Sequence, residues 1–233
     1  MRVHNRIRWD AGILHRDISS NNVLFYEIDG GKDVRGLLID FDHAVDVSVP
    51  KITHHLDRSG TLPFMSINNL AGNIQWVTGL DDWESALYLM CWIGTYGFNK
   101  HQAPDPAVLD ELIIKTWCEG SLGKIARSKR VFLETENSLY HLTAQFLQGL
   151  PMVGHLKGLV HALRSKLISN PDLGVEFHGA LEKFEMRDMR EVSTDPFESR
   201  VAKEHELMAS LLQVLEGYSE RTRTLRSGCV MLI

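Results

Sequence analysis

With 233 residues, 44% of them hydrophobic and 24% charged, the chain has the material for a substantial core, and its composition excludes a disordered protein. Acidic residues outnumber basic ones, 30 to 25, for a formal net charge of -5, which excludes a domain built to neutralise a nucleic-acid backbone; no nucleic-acid partner is expected. The three cysteines, Cys91, Cys118 and Cys229, form no CxxC pair, which excludes a disulfide framework and an ordinary zinc site.

Residues 1–10 contain no apolar leader segment, and no window approaches the ~18 uninterrupted apolar residues of a membrane span. A soluble intracellular protein of cytoplasm or nucleus, without a membrane partner, is expected. Cys229 stands fifth from the end, where prenylation needs a cysteine fourth from the end, so the last residues read as an ordinary tail.

Residues 1–14 are too short and irregular for an independent unit. Val23–Ile28 is rich in β-branched and aromatic residues, Asp29–Asp33 carries turn chemistry, and Gly36–Ile39 is a second apolar run, which together predict a β-hairpin. From Phe41 to Gln75 no periodicity is sustained, and a loop of that length in a compact domain is usually functional.

Asp82 reads as the N-cap of a helix running to about Gly94, whose residues are apolar nearly all round and therefore central and buried. Further helices are predicted over 106–119, 122–134, 139–148 and 152–168, the last closed by Asn170-Pro171-Asp172-Leu173-Gly174. Residues 175–193 are charged and weakly patterned. Thr194-Asp195-Pro196 then starts a final helix with Phe197, Val201, His205, Met208, Leu211, Leu212, Leu215 and Tyr218 on one stripe, suited to docking on a body or a partner.

The chemistry-bearing stretch is His15-Arg16-Asp17-Ile18-Ser19-Ser20-Asn21-Asn22, followed by Asp40-Phe41-Asp42. Asp17 and Asn22 lie five positions apart and Asp40 lies 18 beyond Asn22. Phosphoryl transfer needs a carboxylate facing the acceptor hydroxyl and oxygen ligands that hold Mg²⁺ against the phosphates. The stretch fits H-R-D-x-x-x-x-N, and Asp40-Phe41-Asp42 stands where D-F-G is expected after a hairpin.

On His-Arg-Asp-Ile-Ser at 15–19, Leu-Ile-Asp-Phe-Asp at 38–42, Gly-Thr-Leu-Pro-Phe-Met-Ser at 60–66 and Asp-Trp-Glu-Ser at 82–85, the chain resembles the C-terminal lobe of a eukaryotic protein kinase, in particular the fungal-type protein kinase family. The resemblance covers roughly residues 10–170. It implies a mainly α fold, a kinase-like C-lobe over 1–170 with a small β-hairpin after the catalytic loop, and a linker with a C-terminal helix over 171–233.

The resemblance further implies transfer of the ATP γ-phosphate to a protein serine or threonine, with ATP and Mg²⁺ as cofactors. Asp17 would be the base or orienting carboxylate, and Asn22 and Asp40 would bind the nucleotide through the metal. Arg16 would pair with an activation-segment anion or backbone carbonyls, Thr61 would hydrogen-bond near Asp17, and Asp82 would brace the catalytic-loop backbone. Ser19 completes the implied catalytic set, at the position where serine/threonine kinases commonly carry lysine. Ser48, Thr53, Ser59 and Thr61 are the candidates for a regulatory phosphosite. His54-His55 has no third ligand at matched spacing and reads as a solvated pair.

Three departures stand out: Ser19 for lysine, Asp42 for the D-F-G glycine, and Asn68 where a glutamate would pair with a later arginine, Arg127 or Arg164. Only 14 residues precede His15, without a G-x-G-x-x-G loop or a V-A-I-K-type lysine, so the ATP-covering N-lobe is expected to be missing from this chain and an apolar face to be exposed where it would pack. A truncated gene model or the tail of a longer kinase would account for this. Partners would be a protein substrate and a protein held at that face or at the C-terminal helix. A pseudokinase or docking module is the second reading. An aminoglycoside-type small-molecule phosphotransferase is the third, disfavoured by Arg16 and the Gly60-Thr61 to Pro63-Phe64 segment.

Overall fold

The computed structural model describes residues 1–28, 33–47, 60–72, 78–97, 112–148, 153–168 and 197–229. They form a mainly helical fold with two small antiparallel pairs of strands. In chain order the elements are α1 (Arg2–Ala11), β1 (Ile13–Leu14), β2 (Val23–Ile28), β3 (Asp33–Leu38), β4 (Val45–Asp46), α2 (Ile67–Ala71), α3 (Gly79–Tyr96), α4 (Leu122–Glu134), α5 (Glu136–Ala144), α6 (Val153–Ile168) and α7 (Phe197–Cys229), with short 3₁₀ turns at Leu62–Phe64 and Ile113–Trp117.

The expected hairpin is present, with Val23 opposite Leu38 and Ile28 opposite Asp33. A second pair, β1 with β4, sets Ile13 against Asp46 and Leu14 against Val45, and so ties both flanks of the hairpin together.

Helix α3 is the axis of the core. Trp83, Leu87, Tyr88 and Cys91 are buried, and α6, α7 and the 60–72 segment pack around them. Burial on almost every side is what the all-round apolar pattern demands. Its start differs from expectation. Thr78, not Asp82, is the N-cap: the Thr78 hydroxyl accepts the Leu80 N–H at 3.3 Å and the Asp81 carboxylate accepts the Thr78 N–H at 2.8 Å, a capping box one turn earlier. Asp82 is thereby released for a different bond.

Helix 122–134 lies at the expected residues, capped by Ser121. The helix expected at 139–148 runs over 136–144, because the Gln145 side chain turns to accept the Ile113 N–H and the Leu147 N–H donates to the Gly94 carbonyl, which draws the chain across α3. Of the helix expected over 106–119, the part from 112 on is a 3₁₀ turn, and 106–111 lie outside the described residues, as do Asn170–Gly174 and Thr194–Pro196. Within α7, Leu207, Met208 and Leu211 are buried in the main core, so the tail helix docks on the body of this chain, along α6 and α3.

The β2–β3 hairpin exposes apolar side chains on both faces: Val23, Leu24, Phe25, Tyr26, Val34 and Leu37 are all open, Phe25 to 65%. Among the described residues, no helix is long and apolar enough to cross a membrane.

Candidate active site

The His15–Asn22 loop is held from below by the protein interior and from the side by the hairpin. His15 is buried; its Nε2 lies 2.9 Å from the Ile39 carbonyl oxygen, and its ring meets Phe41 edge to face with centroids 4.7 Å apart. The histidine thus connects the loop to the residues on either side of Asp40. Arg16 is also buried and adopts φ 67, the left-handed region that a side-chain-bearing residue enters only when its surroundings impose it. Its Nη1 donates to the His43 carbonyl at 3.4 Å, and burial lowers its pKa against the opposing influence of Asp82 and Asp81.

Asp17 is half-buried and fully engaged. Its Oδ1 accepts the Thr61 backbone N–H at 2.8 Å and the Thr61 hydroxyl at 3.0 Å, while its Oδ2 accepts from Asn22 Nδ2 at 2.8 Å. Thr61 reaches this position because Gly60 turns at φ 116, close enough that a Cβ there would meet the Arg16 carbonyl at 3.1 Å. One residue of the 60–72 segment, Thr61, and one at the base of the hairpin, Asn22, therefore fix the same carboxylate.

Asn22 spends Nδ2 on both the Asp17 carboxylate and the Asp17 carbonyl, leaving its amide oxygen as the group with lone pairs for a cation. The Asn22 carbonyl accepts the Ile39 N–H at 3.0 Å, which extends the β2–β3 ladder and brings Asn22 and Asp40 to the same end of the hairpin. Asp40 is exposed, at φ 63, and among the described residues takes a long bond from the Asp42 N–H, 3.4 Å. Among the described residues no three His, Cys, Asp or Glu side chains cluster as a metal cage. An amide oxygen and an open carboxylate at the same end of the hairpin are nonetheless donors of the kind Mg²⁺ takes, since it uses few protein oxygens and completes its shell with phosphate and water.

Ser19 is the predicted site residue that the structure does not bring to the others. It is fully buried and its hydroxyl has no hydrogen-bond partner among the described residues, while its carbonyl accepts the Asn22 and Val23 N–H groups and turns the chain into β2. Ser48, Thr53, His54, His55 and Ser59 lie outside the described residues.

Beneath the loop, Asp82 Oδ2 accepts the His15 N–H at 3.0 Å and Oδ1 accepts the Arg16 N–H at 2.9 Å, while Oδ2 also lies 2.7 Å from His4 Nε2. These bonds, with His4 nearest in effect, hold its carboxyl below the usual range in spite of complete burial. The neighbouring acids behave oppositely. Burial raises Asp81 to about 6 and Glu84 to about 8; Asp81 accepts from Ser66 at 2.7 Å and Glu84 from the Ile67 N–H at 2.9 Å and the Tyr88 hydroxyl.

Asn68 and Arg164, considered above as positions of an ion pair, have separate partners. Arg164 donates to the Phe132 carbonyl and to Glu136, away from the site, and Asn68 hydrogen-bonds Asp81. Nearby, Lys129 is fully buried, with Nζ donating to the Met65 carbonyl at 2.6 Å and the Leu62 carbonyl at 3.4 Å and standing 4.3 Å over the Tyr88 ring. Sequence reasoning missed it. The available signal was a lysine inside the apolar stripe Ile125, Ala126, Phe132 and Leu133 of α4.

No curated protein and no solved structure matches the chain. The family model described as Fungal protein kinase matches residues 1–94, a stretch that reaches from α1 into α3 and holds Asp17, Asn22, Asp40, Thr61 and Asp82. Over that stretch the chain is similar to the fungal protein kinase family.

Proposed function

We propose that this chain carries the catalytic-loop half of a protein kinase active site and serves transfer of the ATP γ-phosphate to a serine or threonine hydroxyl of a protein. The observation that carries the reading is the Asp17 carboxylate, fixed by Thr61 and Asn22 at the end of the hairpin where Asp40 stands. Asp17 would orient the acceptor hydroxyl and take its proton. Asn22 and Asp40 would hold Mg²⁺, which when bound neutralises phosphate charge. Arg16 and Asp82 would set the loop backbone, and Thr61 would place the carboxylate.

On this reading residues 1–170 are a kinase C-lobe and 171–233 a linker with the tail helix. The apolar faces of the β2–β3 hairpin would receive an N-lobe or a partner protein, and the segment after Thr61 the protein substrate. The test is Mg²⁺-dependent ATP binding and phosphorylation of a protein substrate by the chain, together with any upstream sequence the transcript encodes, with Asp17→Asn as the control. Positioned general-base catalysis contributes about 10²–10⁴-fold, so the variant should lose at least about a hundredfold in rate with nucleotide binding retained. Unchanged phosphorylation in Asp17→Asn would sink the enzyme reading.

A second reading, a pseudokinase that binds without turnover, draws on Ser19. A buried serine at the position of the usual lysine supplies no cation to the transferring phosphate. Nucleotide binding without any phosphorylation of protein would favour it.

A further inference from the structure

Glu204, on the second turn of α7, is a buried carboxylate outside the site described above. It makes three bonds: Arg8 Nε donates to Oε1 at 2.9 Å, Arg8 Nη2 to Oε2 at 2.8 Å, and the Gly79 backbone N–H to Oε1 at 2.7 Å. The first two form a two-pronged charge-assisted pair with α1, and the third places an anion on the first N–H of α3, where the helix dipole favours it.

The fit around Glu204 is close. A Cβ on residue 79 would stand 2.5 Å from Met208 Sδ and 2.9 Å from Glu204 Oε1, so only glycine lets α7 come this near the start of α3. Asn5 Nδ2 donates to the Met208 carbonyl at 3.4 Å, Trp9 meets His205 edge to face, and Arg2 pairs with Glu216 at 2.8 Å, so α7 follows the length of α1.

Both elements that Glu204 grips lead to the same place. Helix α1 carries His4, which bonds Asp82, and passes through β1 directly into His15. Gly79 stands three residues before Asp82 on α3. Asp82 in turn accepts the N–H groups of His15 and Arg16.

We infer that Glu204 of the C-terminal helix is a positioning residue for the His15–Asp17 loop: by joining α1 to the first N–H of α3 it holds the Asp82 carboxylate against the loop backbone. The inference does not depend on phosphoryl transfer, and its test is therefore independent of any activity.

The experiment follows backbone amides of the whole chain by hydrogen exchange and by amide proton shifts, comparing wild type with Glu204→Gln and Glu204→Leu. Gln keeps the shape and an acceptor for Gly79 but not the charge on Arg8; Leu keeps neither. The expected result is exchange at His15 and Arg16 faster by roughly tenfold in the Leu variant and by less in the Gln variant, a factor that corresponds to about 1.4 kcal/mol of local opening free energy. The His15 and Arg16 amide protons should also shift upfield as their bonds to Asp82 lengthen, while the amides of α5 keep wild-type rates. Faster exchange confined to α7 and Gly79 would overturn the inference, because the tail would then dock without acting on the loop. Equal acceleration everywhere, α5 included, would overturn it as well, since Glu204 would then support only global stability. If the Leu variant does not fold, the Gln variant decides by the same two criteria.

Discussion

The Asp82 carboxylate accepts the Arg16 backbone N–H at 2.9 Å while Arg16 sits at φ 67, so a buried acid on α3 stabilises a left-handed turn at the centre of the loop. A residue in that region costs on the order of 1–3 kcal/mol and persists only where its neighbours impose it. Asp82 imposes it from the one helix that the core surrounds on nearly all sides.

Replacing Asp82 should consequently be among the most damaging single changes in residues 1–97. Asp82→Ala removes the acceptor of two buried N–H groups and strands His4, at an expected cost of about 3–5 kcal/mol in urea unfolding. Because the folded-state pKa of Asp82 lies below its ordinary value, its contribution is present above about pH 4 and is lost as pH falls through the folded value. The variant should therefore have a shallower acid limb than wild type. A cost under 1 kcal/mol would contradict the brace.

Glu84 gives the opposite pH dependence. Its folded pKa is raised to about 8 from an ordinary 4.5, so the folded state keeps a proton that the unfolded chain loses, and stability falls as pH rises between those values. Asp81, raised to about 6, acts in the same direction. Lys129, lowered by burial to about 7, contributes stability that is present above its ordinary 10.5 and lost as pH falls through 7, so below pH 7 it adds little slope. Between pH 5 and 7 the unfolding free energy of wild type, from urea titration, should decline by at most about 1.4 kcal/mol per pH unit for each proton. Glu84→Gln, which keeps an acceptor for Ile67 and Tyr88, should flatten the decline, and parallel profiles for the two proteins would refute the assignment.

Gly94→Ala tests packing against propensity. Alanine is favoured over glycine in a helix by up to about 1 kcal/mol. At residue 94, however, a Cβ would stand 2.6 Å from the buried Phe146 ring, and overpacking a fixed aromatic costs about 1–3 kcal/mol. The thermal midpoint should fall; a rise would show that Phe146 moves aside freely.

Arg164→Lys should be costly although the charge is kept. Arg164 is almost fully buried, its Nε donating to the Phe132 carbonyl at 3.0 Å and its Nη1 to Glu136, two directions that a single ammonium cannot serve together. A loss of about 1–3 kcal/mol is expected in denaturant unfolding, and an unchanged midpoint would show the fork to be dispensable.

The hairpin, the central helix, helix 122–134 and helix 153–168 were legible because their signals are local: alternation and turn residues for the strands, an all-apolar or one-sided helical pattern for the rest. The start of α3 was misplaced by one turn, since Thr78 and the Asp81-Asp82 pair are all capable caps and only the fold shows which carboxylate turns back to the helix and which turns down to the loop. Helix 136–144 ends before its periodicity does, because Gln145 and Leu147 find partners on Ile113 and Gly94 far along the chain.

Residue types and spacing by themselves were enough to expect the mainly helical class and to single out Asp17, Asn22 and Asp40, because phosphate and metal chemistry tolerates few residue types at those intervals. Tertiary structure alone decided that Ser19 is buried, that Lys129 is buried with its ammonium on the Met65 carbonyl, and that Glu204 joins the tail helix to α1 and α3. Lys129 and Glu204 are polar groups taken out of water, and they are satisfied by partners 64 and 196 positions away in the chain, which no local pattern records.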